Sequence, residues 1–175
     1  QRAGGIGLYI DAERTFTKNW FEITGVDTNP EKFLVLHPQS LEQAMEMIIN
    51  ALDGLKPDLI VLDSIPALLP AAHMEADMEK KDFRGDTARK IGEGRTKITQ
   101  TGMGKTALII VNQIRVSLGV VYGNPESLPG GYALKHLTAL RVRVRRRAWI
   151  TNASKEKGGI VDDSENGRDA TKIGF

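Results

Sequence analysis

The chain has 175 residues, 41% of them hydrophobic and 26% charged, which is enough apolar material for one globular domain with a buried core. It contains no cysteine, which excludes a disulfide framework and thiolate metal sites and suits a cytoplasmic protein. No apolar run reaches bilayer-spanning length, so no membrane association is expected, and the net charge of +2 is the balance of an acidic residue range 1–79 and a basic range 80–175.

The basic range holds 19 Lys/Arg against 9 Asp/Glu, and the acidic one 5 against 13. Such segregation fits a polyanionic partner, or else a solvated face. The three histidines are scattered without metal-ligand spacing. The N-terminus reads Gln-Arg-Ala-Gly-Gly, with neither an initiator Met nor a signal-peptide pattern, so the true start is expected upstream.

In chain order, residues 6–10 form a short β-prone run that ends at Asp11. Residues 40–53 carry helical periodicity, with Leu41, Ala44, Met45, Ile48, Ile49 and Leu52 on one face. Ser40 is placed to cap that helix, Gln43 follows three residues on, and Gly54 stands where it is expected to stop. Residues 58–62 and 107–111 are nearly continuous apolar strands, the pattern of strands covered on both faces. The expected fold class is therefore α/β, with a mostly parallel, helix-flanked sheet.

Residues 71–105 are polar and charge-rich, with a helix expected across 84–100. Residues 114–131 hold four Gly and two Pro and read as a long loop that orders only on binding. Leu140 to Arg145 alternate apolar and Arg, which predicts a half-buried strand with an arginine face. Residues 151–169 read as a hairpin turn or loop, and 171–175 as the start of a further strand.

The chemistry is expected at the strand ends, where α/β proteins bind ligands. The first strand ends Asp11-Ala12-Glu13, the second Asp63-Ser64 and the third Asn112-Gln113. An apolar run ending in Asp is the pattern of a Walker B element, whose carboxylate orients the water shell of Mg²⁺ on a nucleotide. The alternative for Asp63 is to cap the following helix. Glu13 is placed to deprotonate an attacking water and Gln113 to touch a terminal phosphate.

Gly102-Met103-Gly104-Lys105-Thr106 imitates the tail of a phosphate-binding P-loop, but Thr99 stands where that motif needs its first Gly. The expected order there is also helix, turn, strand, the reverse of a P-loop, so it reads as a turn.

Residues 112–135, NQIRVSLGVVYGNPESLPGGYALK, resemble the second DNA-binding loop of the RecA recombinase family of bacteria and phages. The segments YIDAE and DLIVLDSIPALLP resemble that family's catalytic-glutamate and Walker B segments, so the resemblance covers nearly the whole chain. It implies a RecA-like core over residues 1–175 that is partial, with the P-loop upstream and the lysines that reach a neighbour's ATP beyond Phe175. The fragment alone is then expected to be inactive, and the full protein to be a DNA-dependent ATPase using ATP and Mg²⁺.

By the same resemblance, Glu13 activates water, Asp63 with Ser64 beside it holds Mg²⁺ through water, and Gln113 couples the γ-phosphate to the DNA loop. Trp20 falls where the family stacks an aromatic ring on adenine, and a core or interface tryptophan is the alternative. The DNA-binding set is Arg115, Val116, Leu118, Gly119, Asn124, Glu126, Gly130 and Gly131. Arg115 and backbone N–H groups hold phosphates there, while Val116 and Leu118 insert between base triplets. Glu75 to Arg89 take the place of the first DNA loop, with Lys80, Lys81 and Arg84 as a more basic set than is common.

The implied function is a recombinase that forms a homo-oligomeric helical filament on single-stranded DNA and pairs it with homologous duplex DNA. The alternatives are another ATPase of the superfamily, such as a ring helicase, and a DNA-binding module that works without nucleotide.

Overall fold

The apolar runs of the sequence assemble into one parallel sheet. In a computed structural model that describes residues 1, 4–74, 84–116 and 126–145, four strands lie in the order β2-β1-β3-β4. They are β1 (Gly7–Asp11), β2 (Phe33–Leu36), β3 (Leu59–Asp63) and β4 (Ala107–Ile110), and all three pairings are parallel. The chain divides into two compact units, Gln1–Thr138 and Ala139–Phe175, and the sheet belongs to the first.

Strand order decides where a ligand can sit. The chain passes from β1 to β2 on one side, then returns across β1 to place β3 on the other. The connections therefore diverge between β1 and β3, the kind of switch point at which open α/β sheets leave a crevice beyond their carboxyl ends.

One sheet face carries the core. Leu8, Ile10, Ile60 and Leu62 are buried there against helix α2 (Leu41–Asn50) and helix α4 (Arg84–Thr101), which contributes Ile91 and Ile98. The helices meet closely because position 94 has no side chain: a Cβ there would lie 2.8 Å from Cγ of Met45.

Ser40 caps α2, its hydroxyl accepting the Gln43 N–H at 3.2 Å, as the sequence predicts. The Gln43 side chain reaches one residue further back than a capping box requires, accepting from the Gln39 N–H. The expected stop at Gly54 is not where the helix ends. A π-helical turn runs over Ala51–Leu55, and Lys56 leaves it in the left-handed region at φ 49°. Pro57 is the cause, because a proline disfavours the right-handed helical conformation for the residue before it.

On the other face, Tyr9 packs among Phe16, Phe21 of helix α1 (Lys18–Ile23) and Phe33. This cluster gives β1 cover on both sides, and all five of its residues are buried. β3 and β4 do not match the doubly covered expectation. Their residues alternate, and Ile109 is 50% exposed, because nothing among the described residues packs on that part of the face. β2 and α1 are not anticipated by the sequence reading.

The remaining elements are short: a 3-10 turn (Ile65–Ala67), α3 (Ala71–Met74), a two-residue antiparallel ladder of β5 (Arg115–Val116) and β6 (Glu126–Ser127), and α5 (Gly131–Leu137). Met103 to Thr106 form a helix-to-strand turn with Gly102 and Gly104 at positive φ, so the P-loop imitation is excluded on order. In the second unit, residues 140–145 are not a strand. Alternation predicts a strand only where a second strand supplies the ladder, and none pairs with this segment among the described residues. The readings of 151–169 and 171–175 lie outside the described residues.

Candidate active site at the switch point of the sheet

The ends of β1 and β3 are in register, Asp11 opposite Asp63. The Ala12 N–H donates to the Asp63 carbonyl at 2.7 Å, which continues the pairing one residue past the strand and sets Glu13 directly over the crevice.

Glu13 then becomes the meeting point of three strand ends. Its Oε1 accepts from the Ser64 hydroxyl at 2.5 Å and from the Gln113 side-chain amide at 3.3 Å. Ser64 comes from the end of β3 and is fully buried, and Gln113 lies just past β4, 100 positions from Glu13 in the chain. Two donors on one oxygen fix the carboxylate plane, and Glu13 Oε2 accepts no hydrogen bond among the described residues. Asp63 is held in a similar way: its Oδ2 accepts the Tyr9 hydroxyl at 2.8 Å. Burial, and then the hydrogen bond to the Asp63 carboxylate, hold the Tyr9 phenol above its ordinary range, so it stays a donor.

Asp11 does different work from the other tip residues. Its carboxylate is fully buried and accepts the backbone N–H groups of Thr15 at 3.2 Å and Phe16 at 2.8 Å. That pins both ends of the turn carrying Glu13, within which Arg14 takes φ 55°. His37, at the end of β2, places Nδ1 3.3 Å from the Asp11 carbonyl oxygen. The roles of Asp11 and Tyr9 are not visible in the sequence reading; the available signal is an acid two positions before Glu13 and a phenol two positions before that acid, side chains that alternation sends to one sheet face.

At the end of β4, Asn112 clasps two segments. Its Oδ1 accepts the Gln113 N–H and its Nδ2 donates to the Pro129 carbonyl, each at 2.9 Å. Arg115 and Val116 leave the sheet edge as β5, with Val116 opposite Glu126, and Val116 is 63% exposed. Gly130 and Gly131 close the segment at φ 90° and 55°, where they begin α5. Leu118, Gly119 and Asn124 lie outside the described residues, as do Lys80 and Lys81, while Arg84 opens α4. Trp20 sits on α1 at 64% exposure, which excludes the core alternative within this chain and leaves stacking or an interface.

The donor set suits a hard cation carried by a polyphosphate. Asp63, Ser64 and Glu13 offer oxygen only, and no group of three or more His, Cys, Asp or Glu among the described residues forms a cage. Mg²⁺ is bound in this way, by one or two carboxylates together with phosphates and retained water. Among the described residues, no helix is long and apolar enough to cross a membrane.

Residues 1–162 match the RecA N-terminal domain family. The chain is 38% identical over 159 residues to Protein RecA of Desulforapulum autotrophicum, covering 90% of this chain and 45% of that protein. It is 40% identical over 162 residues to Protein RecA of Tropheryma whipplei, covering 90% and 36%. Against Protein RecA of Aquifex aeolicus it is 35% identical over 159 residues, covering 90% and 45%. The chain thus spans less than half the length of each of these relatives.

Proposed function

The chain belongs to the RecA family, and from that premise we propose that the whole protein is an ATP-dependent recombinase. It polymerises as a helical homo-oligomer on single-stranded DNA and pairs that strand with homologous duplex DNA. It is a DNA-dependent ATPase using ATP and Mg²⁺, and residues 1–175 form part of its catalytic and DNA-binding core. The observation that carries this reading is the convergence of Ser64 and Gln113 on one oxygen of Glu13.

The bound nucleotide with its metal supplies an electrophilic terminal phosphate. Glu13 is the base: with Oε1 occupied by its two donors, Oε2 is the oxygen left to take a proton from the attacking water. Asp63 orients the metal through water, and Ser64 holds Glu13. Gln113 exchanges its bond to Glu13 for one to the terminal phosphate, and Asn112 passes that change to Pro129 and the DNA segment. Trp20 stacks on adenine. Arg115, Val116, Leu118, Gly119, Asn124, Glu126 and Gly131 form the strand-binding surface, with Arg115 on phosphate and Val116 and Leu118 between base triplets, while Gly130, which is buried, shapes the turn beneath it instead of touching DNA.

The test is ATP turnover by the full-length protein with and without single-stranded DNA, together with electron microscopy in a non-hydrolysable ATP analogue. DNA-stimulated hydrolysis and helical filaments are expected. Closed rings would instead indicate a helicase-type ATPase, and DNA binding without any turnover a module that works without nucleotide.

A further inference from the structure

We propose that Tyr9 is a positioning residue for Asp63, selecting which carboxylate oxygen faces the metal. This rests on the reading of Asp63 as the metal-orienting carboxylate. Tyr9 and Asp63 are 54 positions apart in sequence, yet the parallel register sets them diagonally on one sheet face, Tyr9 opposite Val61 and Asp63 opposite Asp11. From there the phenol donates to Oδ2 at 2.8 Å. Oδ1 accepts no hydrogen bond among the described residues, so the two oxygens of Asp63 are inequivalent before any ligand arrives.

The ring that carries the hydroxyl cannot swing away. Tyr9 is buried, and its ring meets Phe21 at 5.1 Å edge-on and Phe33 at 6.3 Å stacked, with Phe16 at 6.4 Å. A donor fixed by aromatic packing holds one carboxylate rotamer, whereas a water in its place would follow the carboxylate. Groups hydrogen-bonded to a metal's own ligands characteristically alter its affinity about 10- to 100-fold when removed, and Tyr9, one step further out because Asp63 acts through water, belongs at the lower end of that range.

The experiment is a Mn²⁺ titration of the full-length protein followed by electron paramagnetic resonance, with a non-hydrolysable ATP analogue present. The variants are Tyr9→Phe, Asp63→Asn and Phe21→Leu, and the thermal unfolding midpoint of each is measured without nucleotide. Tyr9→Phe keeps the ring, so the protein is expected to fold and to bind Mn²⁺ about tenfold more weakly. Phe21→Leu keeps the hydroxyl and two of its three aromatic neighbours, so it is expected to lower the unfolding midpoint with a smaller loss of Mn²⁺ affinity than Tyr9→Phe, which separates packing from the hydroxyl. If Asp63→Asn weakens Mn²⁺ binding while Tyr9→Phe stays within about twofold of the parent, the role of Tyr9 is overturned and that of Asp63 stands. If Asp63→Asn has no effect either, the metal reading fails and Tyr9 with it. Equal loss in Tyr9→Phe and Phe21→Leu assigns the effect to packing and also overturns the proposal.

Discussion

Asn112 is tied to Pro129 across 17 positions, its side-chain N–H donating to that carbonyl at 2.9 Å while its own oxygen accepts the Gln113 backbone N–H. One amide therefore joins the residue that touches Glu13 to the far end of the segment read as the DNA loop. If that amide transmits the signal, Asn112→Ala in the full-length protein should lower the ratio of DNA-stimulated to basal ATP turnover. A lost internal hydrogen bond is worth about 1 kcal/mol, or roughly fivefold in the ratio. An unchanged ratio would show that the signal takes another route.

Glu13→Gln preserves the shape of the side chain and its contact with Gln113 but removes the base. Hydrolysis is expected to fall by about 10²- to 10⁴-fold, while nucleotide-dependent assembly on DNA persists. Phosphate release measured beside filament imaging decides the matter. Turnover at the parent rate would remove Glu13 from the role of base.

Arg115 is exposed at the start of β5 and is proposed to meet phosphate rather than bases. Arg115→Ala should therefore weaken all single-stranded sequences alike. The slope of log affinity against log salt should become shallower by about 0.7. A loss confined to some sequences, at constant slope, would point to base contact instead.

Gly130 tests packing rather than chemistry. Its φ is 90°, and a Cβ there would lie 2.6 Å from Leu134 Cδ1 and 2.8 Å from Ile91 Cδ1. Gly130→Ala therefore combines backbone strain with overcrowding and should cost about 2 kcal/mol, read as a lowered unfolding midpoint. A midpoint equal to that of the parent would mean that the start of α5 is free to shift.

The sheet and the tips of its strands were legible because a continuous apolar run ended by an acid or an amide is a local pattern, complete within six or seven residues. Glu13, Asp63 and Gln113 could be named for that reason. Their order across the sheet, and hence which tips face one another, is set by pairing between distant segments and leaves no local trace. The Tyr9–Asp63 bond belongs to that class, as does the burial of Asp11. β2 leaves little trace in the sequence, because four apolar residues between Lys32 and His37 are the shortest run that reads as a strand and carry no alternation. Lys56 shows the opposite case: Gly54 is the better helix terminator by composition, but Pro57 acts on its immediate neighbour and overrides it. Residues 140–145 pair with no strand among the described residues, because alternation describes what a segment can bury and not what lies beside it.

The buried carboxylate of Asp11, with both of its amide donors, has a kinetic corollary. The turn from Ala12 to Phe16 is anchored at its root by a carboxylate that is fully buried, so it is built before a ligand arrives. Association at this corner should proceed without a slow isomerisation of the turn. In stopped-flow mixing, the phase reporting on Glu13 and its neighbours should track ligand concentration linearly, and any plateau in rate must arise elsewhere in the protein.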